Sequence, residues 1–237
     1  MKFRITKNHV DALCVLIGVL GMGSLYFQVL RMPLMAAMLI ASILLLTRAH
    51  HPKISAQNIR LTLLLTAALM AQVYTNDIFT AYVFLEIMTL AACALIAIRK
   101  RGRTLVAATR YMIMNLIGSG LFLLGIILLY DLTGHLLMSN MKEAVAALAK
   151  SGQYQVPLTV VVALISIGLS IKSALFPFHT WSPDGHASAP TAVSMLHAGV
   201  LMKLGGYGCF RVAIFLMPQA AQELSWIFLI LTGIGVV

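Results

Sequence analysis

The chain has 237 residues, of which 60% are apolar and only 10% charged, and its mean hydropathy is +0.94. That composition excludes a water-soluble globular domain, which needs far more polar surface to cover a core of this size. A net charge of +10 suits a nucleic-acid binder, but no aromatic-interleaved basic patch or nucleic-acid-binding motif accompanies it.

Apolar runs near the ~20 residues that cross a ~30 Å hydrocarbon layer as helix recur along almost the whole chain. In order, the predicted spans are 11 to 30, 33 to 48, 61 to 75, 78 to 98, 110 to 130, 157 to 176, 190 to 216 and 224 to 237. The reading is an all-α, polytopic membrane helical bundle of about eight spans; a β-barrel would alternate apolar and polar residues instead. The first span follows "MKFRITKNHVDALCVLIGVLG", which looks like a secretory leader. Asp11 interrupts the apolar onset and no A-x-A-like cleavage site follows, so an uncleaved helix is expected. The span from Leu61 is short, and the last one reaches Val237 with no polar flank.

The basic residues fall in alternate connections. Lys2, Arg4 and Lys7 precede the first span, Arg48, Lys53 and Arg60 follow the second, and Arg99, Lys100, Arg101, Arg103 and Arg110 follow the fourth. The intervening connections carry Arg31 alone, then Asn76 and Asp77, then a 131 to 156 segment in which Lys142 and Lys150 balance Asp131 and Glu143. By the positive-inside rule the N-terminus is cytoplasmic.

Cys14, Cys93 and Cys209 each stand alone in an apolar span, as small packing residues do. Iron–sulfur or structural zinc sites need clustered thiolates or His/Cys sets at short spacing. With no haem, flavin or nucleotide fingerprint either, any redox chemistry this chain serves is expected on another chain.

The informative residues are the ionisable ones at membrane depth. Glu86 lies two residues from the centre of the span 78 to 98, and Lys203 lies at the centre of 190 to 216. Lys172 lies a little past the middle of 157 to 176. A lone charge at such depth costs on the order of 3 kcal/mol, so these groups are expected to face one another or internal water. Glu86 has the alternative of a neutral, hydrogen-bonded structural carboxyl, since burial disfavours the charged form. Snorkelling is an alternative for Lys172, near a helix break, but not for Lys203, ~20 Å along its helix from Pro190 at 1.5 Å per residue. Arg211, close to a helix end, reads as an interfacial anchor.

Pro177 has no N–H, so the carbonyl of Ser173 loses its helical partner and a broken helix is expected there. Pro183 and Pro190, with Gly185 between them, are expected to keep the following stretch non-helical. Broken helices at membrane depth are tolerated where they are buried in protein or line a hydrated cavity, and in transporters they mark ion sites. Lys172 beside the break is therefore a candidate proton carrier. His179, Asp184 and His186 surround the break, and their H-x4-D-x-H spacing matches no compact zinc pattern. They read better as the polar mouth of a proton route or as helix caps. His197, six residues before Lys203, suits a proton relay. Glycines at 199, 205, 206 and 208 allow close helix approach.

The stretch "KSALFPFHTWSPDGHASAPTAVSMLHAGVLMKLGGYGCFR" resembles the signature of the antiporter-like subunit family shared by respiratory complex I, Mrp-type sodium/proton antiporters and membrane-bound energy-converting hydrogenases. Upstream, "YVFLEIMTLAACALIA" resembles the family's glutamate helix. "RYMIMNLIGSGLFLLGIILLY" resembles the helix after it, with Tyr111, Asn115, Gly118 and Ser119 in pattern. The likeness runs from about residue 61 to the end and is nearest to the complex I M-type and hydrogenase-type members. It implies that Glu86 is the family's essential glutamate, Lys172 its partner on the broken helix, and Lys203 the central lysine of the next helix. His197 falls on a polar position of the internal water wire, with His179, Asp184, His186 and Pro177 in supporting places. In such proteins the Glu–Lys pair is thought to open and close, releasing a proton from Lys172 towards Lys203.

Two departures stand out: "WSPDGH" differs from the commoner W-L-P-D-A-H, and family members run to about fourteen helices in two inverted five-helix repeats. The resemblance divides this chain into N-terminal helices (1–60), one five-helix repeat (61–216) and the start of a further helix (217–237). A split, truncated or reduced member is the expectation, with its second half-channel on another chain. The implied function is proton or sodium translocation as a non-redox subunit of an oxidoreductase/translocase complex like complex I or an energy-converting hydrogenase. The alternatives are a subunit of an Mrp-type antiporter, or a structural membrane subunit that has lost transport. Expected partners are further membrane subunits, lipid, and peripheral redox subunits carrying iron–sulfur clusters with nickel–iron or flavin. The expected location is a prokaryotic cytoplasmic membrane or an energy-converting organelle membrane.

Overall fold

A computed structural model describes residues 56–151 and 155–189, together with Val193, Ser194, His197, Ala198, Met202, Gly208, Trp226 and Ile230. The predicted spans 11 to 30 and 33 to 48, nearly all of 190 to 216 and 224 to 237, and with them Lys203, Arg211, Cys14 and Cys209, lie outside the described residues. The elements are α1 (Ala56–Tyr74), α2 (Ile78–Ala97), α3 (Gly102–Thr133), α4 (Met138–Ser151), α5 (Gln155–Lys172), a 3-10 turn (Phe178–Thr180) and α6 (Trp181–Ser188). No strand forms among the described residues. α2 and α3 are each long and apolar enough to cross a membrane.

Short polar devices set the helix ends. Asp77 caps α2 by accepting from the Thr80 N–H at 2.7 Å. At the start of α3 the Thr104 hydroxyl accepts from the Arg101 N–H at 3.1 Å and donates to its carbonyl at 2.8 Å. Gly134, with φ of 69°, closes the other end by donating its N–H to the Tyr130 carbonyl at 2.7 Å. The α1–α2 and α3–α4 connections are tied by an antiparallel bridge between Asp77 and Leu137, through Ile78 N–H to Leu136 O at 3.1 Å and Met138 N–H to Asn76 O at 2.9 Å.

Three expectations need correction. The segment 131 to 156, read as a connection, contains α4, whose Met141 and Val145 are buried four residues apart on one face. The fifth span, expected to begin at Arg110, begins at Gly102, so Arg103 and Arg110, counted with the basic connection before it, lie in the first and third turns of α3. The stretch after Pro177, expected to be non-helical, includes α6. Pro183 stands third in that helix, where a backbone N–H has no intrahelical acceptor to lose, so the proline does not oppose it. The helix ends where Ala189, preceding Pro190, turns extended.

α5 stops at Lys172, ahead of Pro177. Ala174 takes the left-handed conformation at φ 52°. Its N–H donates to Ile171 O at 3.2 Å, while the Leu175 N–H donates to Ser170 O at 2.9 Å. This is the paired closing pattern usually built on glycine. The Trp181 indole N–H adds a further donor to Ile171 O at 3.1 Å, and the Phe176–Pro177 bond is cis.

α3 is the shared wall of the bundle, packing on α2, α5 and α6, while α1 packs on α2. Its contact with α5 is backbone-close. A Cβ on Gly168 would stand 2.6 Å from Gly118 O and 2.9 Å from Phe122 N, and one on Gly125 would stand 2.5 Å from Ile165 Cγ1. Gly208 likewise meets Leu169, where an added Cβ would stand 3.0 Å from Cδ2. The polarity of α3 is reversed from that of a soluble helix. Val106, Ile113, Ile117, Leu124 and Ile127 are exposed along one face, whereas Thr104, Tyr111, Asn115 and Ser119 are buried on the other. Such a face fits hydrocarbon outside and a polar seam within.

Candidate functional site

Glu86 sits near the middle of α2 and Lys172 is the last residue of α5. The structure brings them together: Lys172 Nζ donates to Glu86 Oε1 at 3.0 Å, with side chains 6% and 21% exposed. The amine makes a second bond, to Thr89 Oγ1 at 2.7 Å. Thr89 follows Glu86 by three residues, so both face the same way from α2. Its own hydroxyl proton goes to Leu85 O at 2.8 Å.

α3 supplies the other side. The Ser119 hydroxyl donates to Glu86 Oε1 and also lies 2.8 Å from Asn115 O. The Asn115 amide donates to Tyr111 O at 2.9 Å. Tyr111, Asn115 and Ser119 are spaced by four, which aligns them on one face over about 12 Å of helix. The lower end of that row meets a second cluster. The Tyr111 ring makes edge contacts with Trp181 (5.1 Å between centroids) and His197 (5.2 Å). His197 also packs edge-on against Trp181 at 5.7 Å and His186 at 5.3 Å.

The predicted residues thus separate into places. Glu86 and Lys172 form one centre, and His197 and His186 belong to the aromatic cluster. His186 Nε2 lies 3.4 Å from Met202 Sδ, and its carbonyl accepts from the Ser194 hydroxyl at 2.7 Å. Asp184 is held by Arg110 of α3 at an exposed edge. His179, also exposed, stacks on Phe176 at 5.7 Å. His179, Asp184 and His186 therefore point to different partners. Among the described residues no group of three or more His, Cys, Asp or Glu is arranged to hold a metal ion. The Cys93 thiol donates to Ala108 O at 3.5 Å.

Two contributors escaped the sequence reading. Thr89 carries a signal, its three-residue spacing from Glu86, that places a hydroxyl beside the carboxylate. Trp181 carries none, because its role depends on the chain folding back onto the end of α5.

Residues 75–237 match the family described as "NADH:quinone oxidoreductase/Mrp antiporter, TM". The chain is 39% identical over 172 residues to the NADH-quinone oxidoreductase subunit N of Desulforudis audaxviator (strain MP104C), covering 70% of this chain and 33% of that protein. It is 30% identical over 177 residues to a Na(+)/H(+) antiporter subunit of Bacillus subtilis (strain 168), covering 73% and 35%. Among solved structures it is similar to a chain of the membrane-bound sulfane sulfur reductase, an archaeal respiratory membrane complex. The TM-score there is 0.72 at 29% identity, covering 83% of this chain and 41% of the other. The chain spans about a third of the length of the curated relatives it matches.

Proposed function

Because this chain belongs to the NADH:quinone oxidoreductase/Mrp antiporter transmembrane family, we propose that it is an ion-translocating, antiporter-like membrane subunit of a redox-driven assembly like complex I or an energy-converting hydrogenase. The observation that carries the reading is the buried pair of Lys172 and Glu86, held at the closed end of α5. Burial disfavours a charged amine and a neighbouring carboxylate favours it. Moving Glu86 away therefore loosens the hold of Lys172 on its proton, and returning it restores that hold. Lys203 is the next carrier in this reading, with His197 on the route between the buried centre and the His186 side. His179, Asp184 and the turn at Pro177 form its rim.

The remaining parts follow from the same reading. The chain crosses the membrane about eight times with its N-terminus in the cytoplasm, and residues 61–216 form one antiporter-like five-helix repeat. Lone cysteines such as Cys93 offer no cluster ligation, so electron transfer belongs to partner subunits with iron–sulfur and nickel–iron or flavin centres. Further membrane subunits surround it. A second reading, membership of a multi-subunit Na(+)/H(+) antiporter, is favoured by the likeness to the Bacillus subtilis protein. Mass spectrometry of the purified assembly separates the two: redox subunits accompany the first and are missing from the second.

The test is ion flux in inverted membrane vesicles carrying the full assembly. Lys172→Met and Glu86→Gln each abolish flux while the subunit stays in the complex. Full flux in both assembled variants overturns the proposal.

A further inference from the structure

We propose that Thr89 is a positioning residue for Lys172, the neutral docking point that keeps the amine in place on α2 when Glu86 lets it go. This deepens the reading above and rests on it.

The argument begins with hydrogen-bond capacity. A threonine hydroxyl has one proton to give, and that of Thr89 goes to Leu85 O at 2.8 Å, one turn back along the same helix. That bond fixes the side-chain rotamer, and the outward side of the oxygen is shared between Lys172 and the buried Tyr111 hydroxyl beside it. Lys172 Nζ meets the oxygen at 2.7 Å, closer than its 3.0 Å contact with Glu86. Thr89 is 3% exposed, so water does not compete for the contact. The amine is thus bound from α2 by two acceptors one turn apart, one that carries charge and one that does not.

The two acceptors respond differently to proton loss. An ammonium and a neutral amine both have N–H groups, so both can donate to Thr89. The attraction to Glu86 depends on the charge and fades when the proton leaves. Glu86 also has its own replacement partner. The Ser119 hydroxyl has Glu86 Oε1 and Asn115 O within reach and a single proton to share between them. A carboxylate that loses Lys172 keeps Ser119, and an amine that loses Glu86 keeps Thr89. Separation of charge then needs no large excursion of the lysine at the end of α5.

The experiment compares Thr89→Ser, Thr89→Val and Thr89→Ala in the intact assembly, with vesicle ion flux and subunit retention as readouts. Valine conserves shape but has no acceptor, whereas serine restores one. Thr89→Ser is expected to retain most of the flux. Thr89→Val is expected to lose about tenfold with normal assembly, the order produced when a buried ammonium gives up one hydrogen bond. If the valine variant fails to assemble, the alanine variant, which adds no bulk against the lysine, takes its place against serine. Equal flux in the serine variant and an assembled hydroxyl-free variant overturns the inference. Lys172→Met, run alongside, separates the layers: if its flux is normal the translocation reading itself falls, and if it is abolished only the role of Thr89 is at issue.

Discussion

Lys172 and Glu86 are unequal partners in their pair. The lysine side chain is 6% exposed and the glutamate side chain 21%, so leaving the amine unmatched is the costlier change. Removing one member of a buried pair costs about 3–5 kcal/mol. Glu86→Gln is therefore expected near that range. Lys172→Met is expected well below it, since it leaves the less buried partner, a carboxylate that still accepts from Ser119. Thermal unfolding of both variants in detergent checks the order. Ala174 makes a second point at this scale. It holds a left-handed conformation that costs an ordinary residue about 1–2 kcal/mol, two residues after Lys172. Ala174→Gly relieves that cost, less the extra freedom glycine gains when unfolded, and is expected to raise the melting temperature with α5 still ending at Lys172. Glu86 and Lys172 were legible as candidates because charge in an apolar run is conspicuous. Thr89 was not, since a threonine breaks no apolar pattern. The helix stop at Ala174 was hidden because alanine normally argues for continuation.

Among the elements, the contact of α3 with α5 is where small residues matter most. A side chain on Gly168 would collide with backbone atoms, Gly118 O at 2.6 Å and Phe122 N at 2.9 Å, which cannot turn aside. Gly168→Val is expected to destabilise the bundle by about 3 kcal/mol or more and to remove the subunit from its assembly on native gels. Gly120→Ala is the matched control. Nothing lies within 4 Å of its added Cβ, and the gain in helix propensity is about 1 kcal/mol. Apolar run length located α1, α2 and α5 to within five residues at each end, but set the start of α3 eight residues late because its first turns carry Arg103 and Arg110. α4 escaped because its lysines and glutamate resemble a solvated connection, its short apolar stripe being visible only at helical period. α6 escaped because a proline was read as a helix breaker without regard to its place in the first turn. Gly168 lay unnoticed because an isolated glycine in an apolar helix has no sequence sign of what crosses it.

On the whole-molecule scale, α3 runs 32 residues, Gly102 to Thr133, or about 48 Å at 1.5 Å per residue. That exceeds a ~30 Å hydrocarbon layer, so its two ends emerge on opposite sides. With basic residues gathered at 99–103, the orientation proposed above predicts that end on the cytoplasmic side. In whole cells, Arg101→Cys is expected to react with a membrane-impermeant maleimide only after permeabilisation, and His135→Cys without it. The reverse pattern inverts the orientation. Charge asymmetry was readable along the chain, whereas the common seam was not, because it is made of residues whose spacing acquires meaning only when α2, α5 and α6 meet α3.

That helix touches the exposed Asp184 through Arg110, the aromatic cluster through Tyr111 and the partly buried Glu86 carboxylate through Ser119. Three otherwise separate places thus hang on one rod: a substitution that tilted or shortened it would be felt at the rim, at the rings and at the acid in a single stroke.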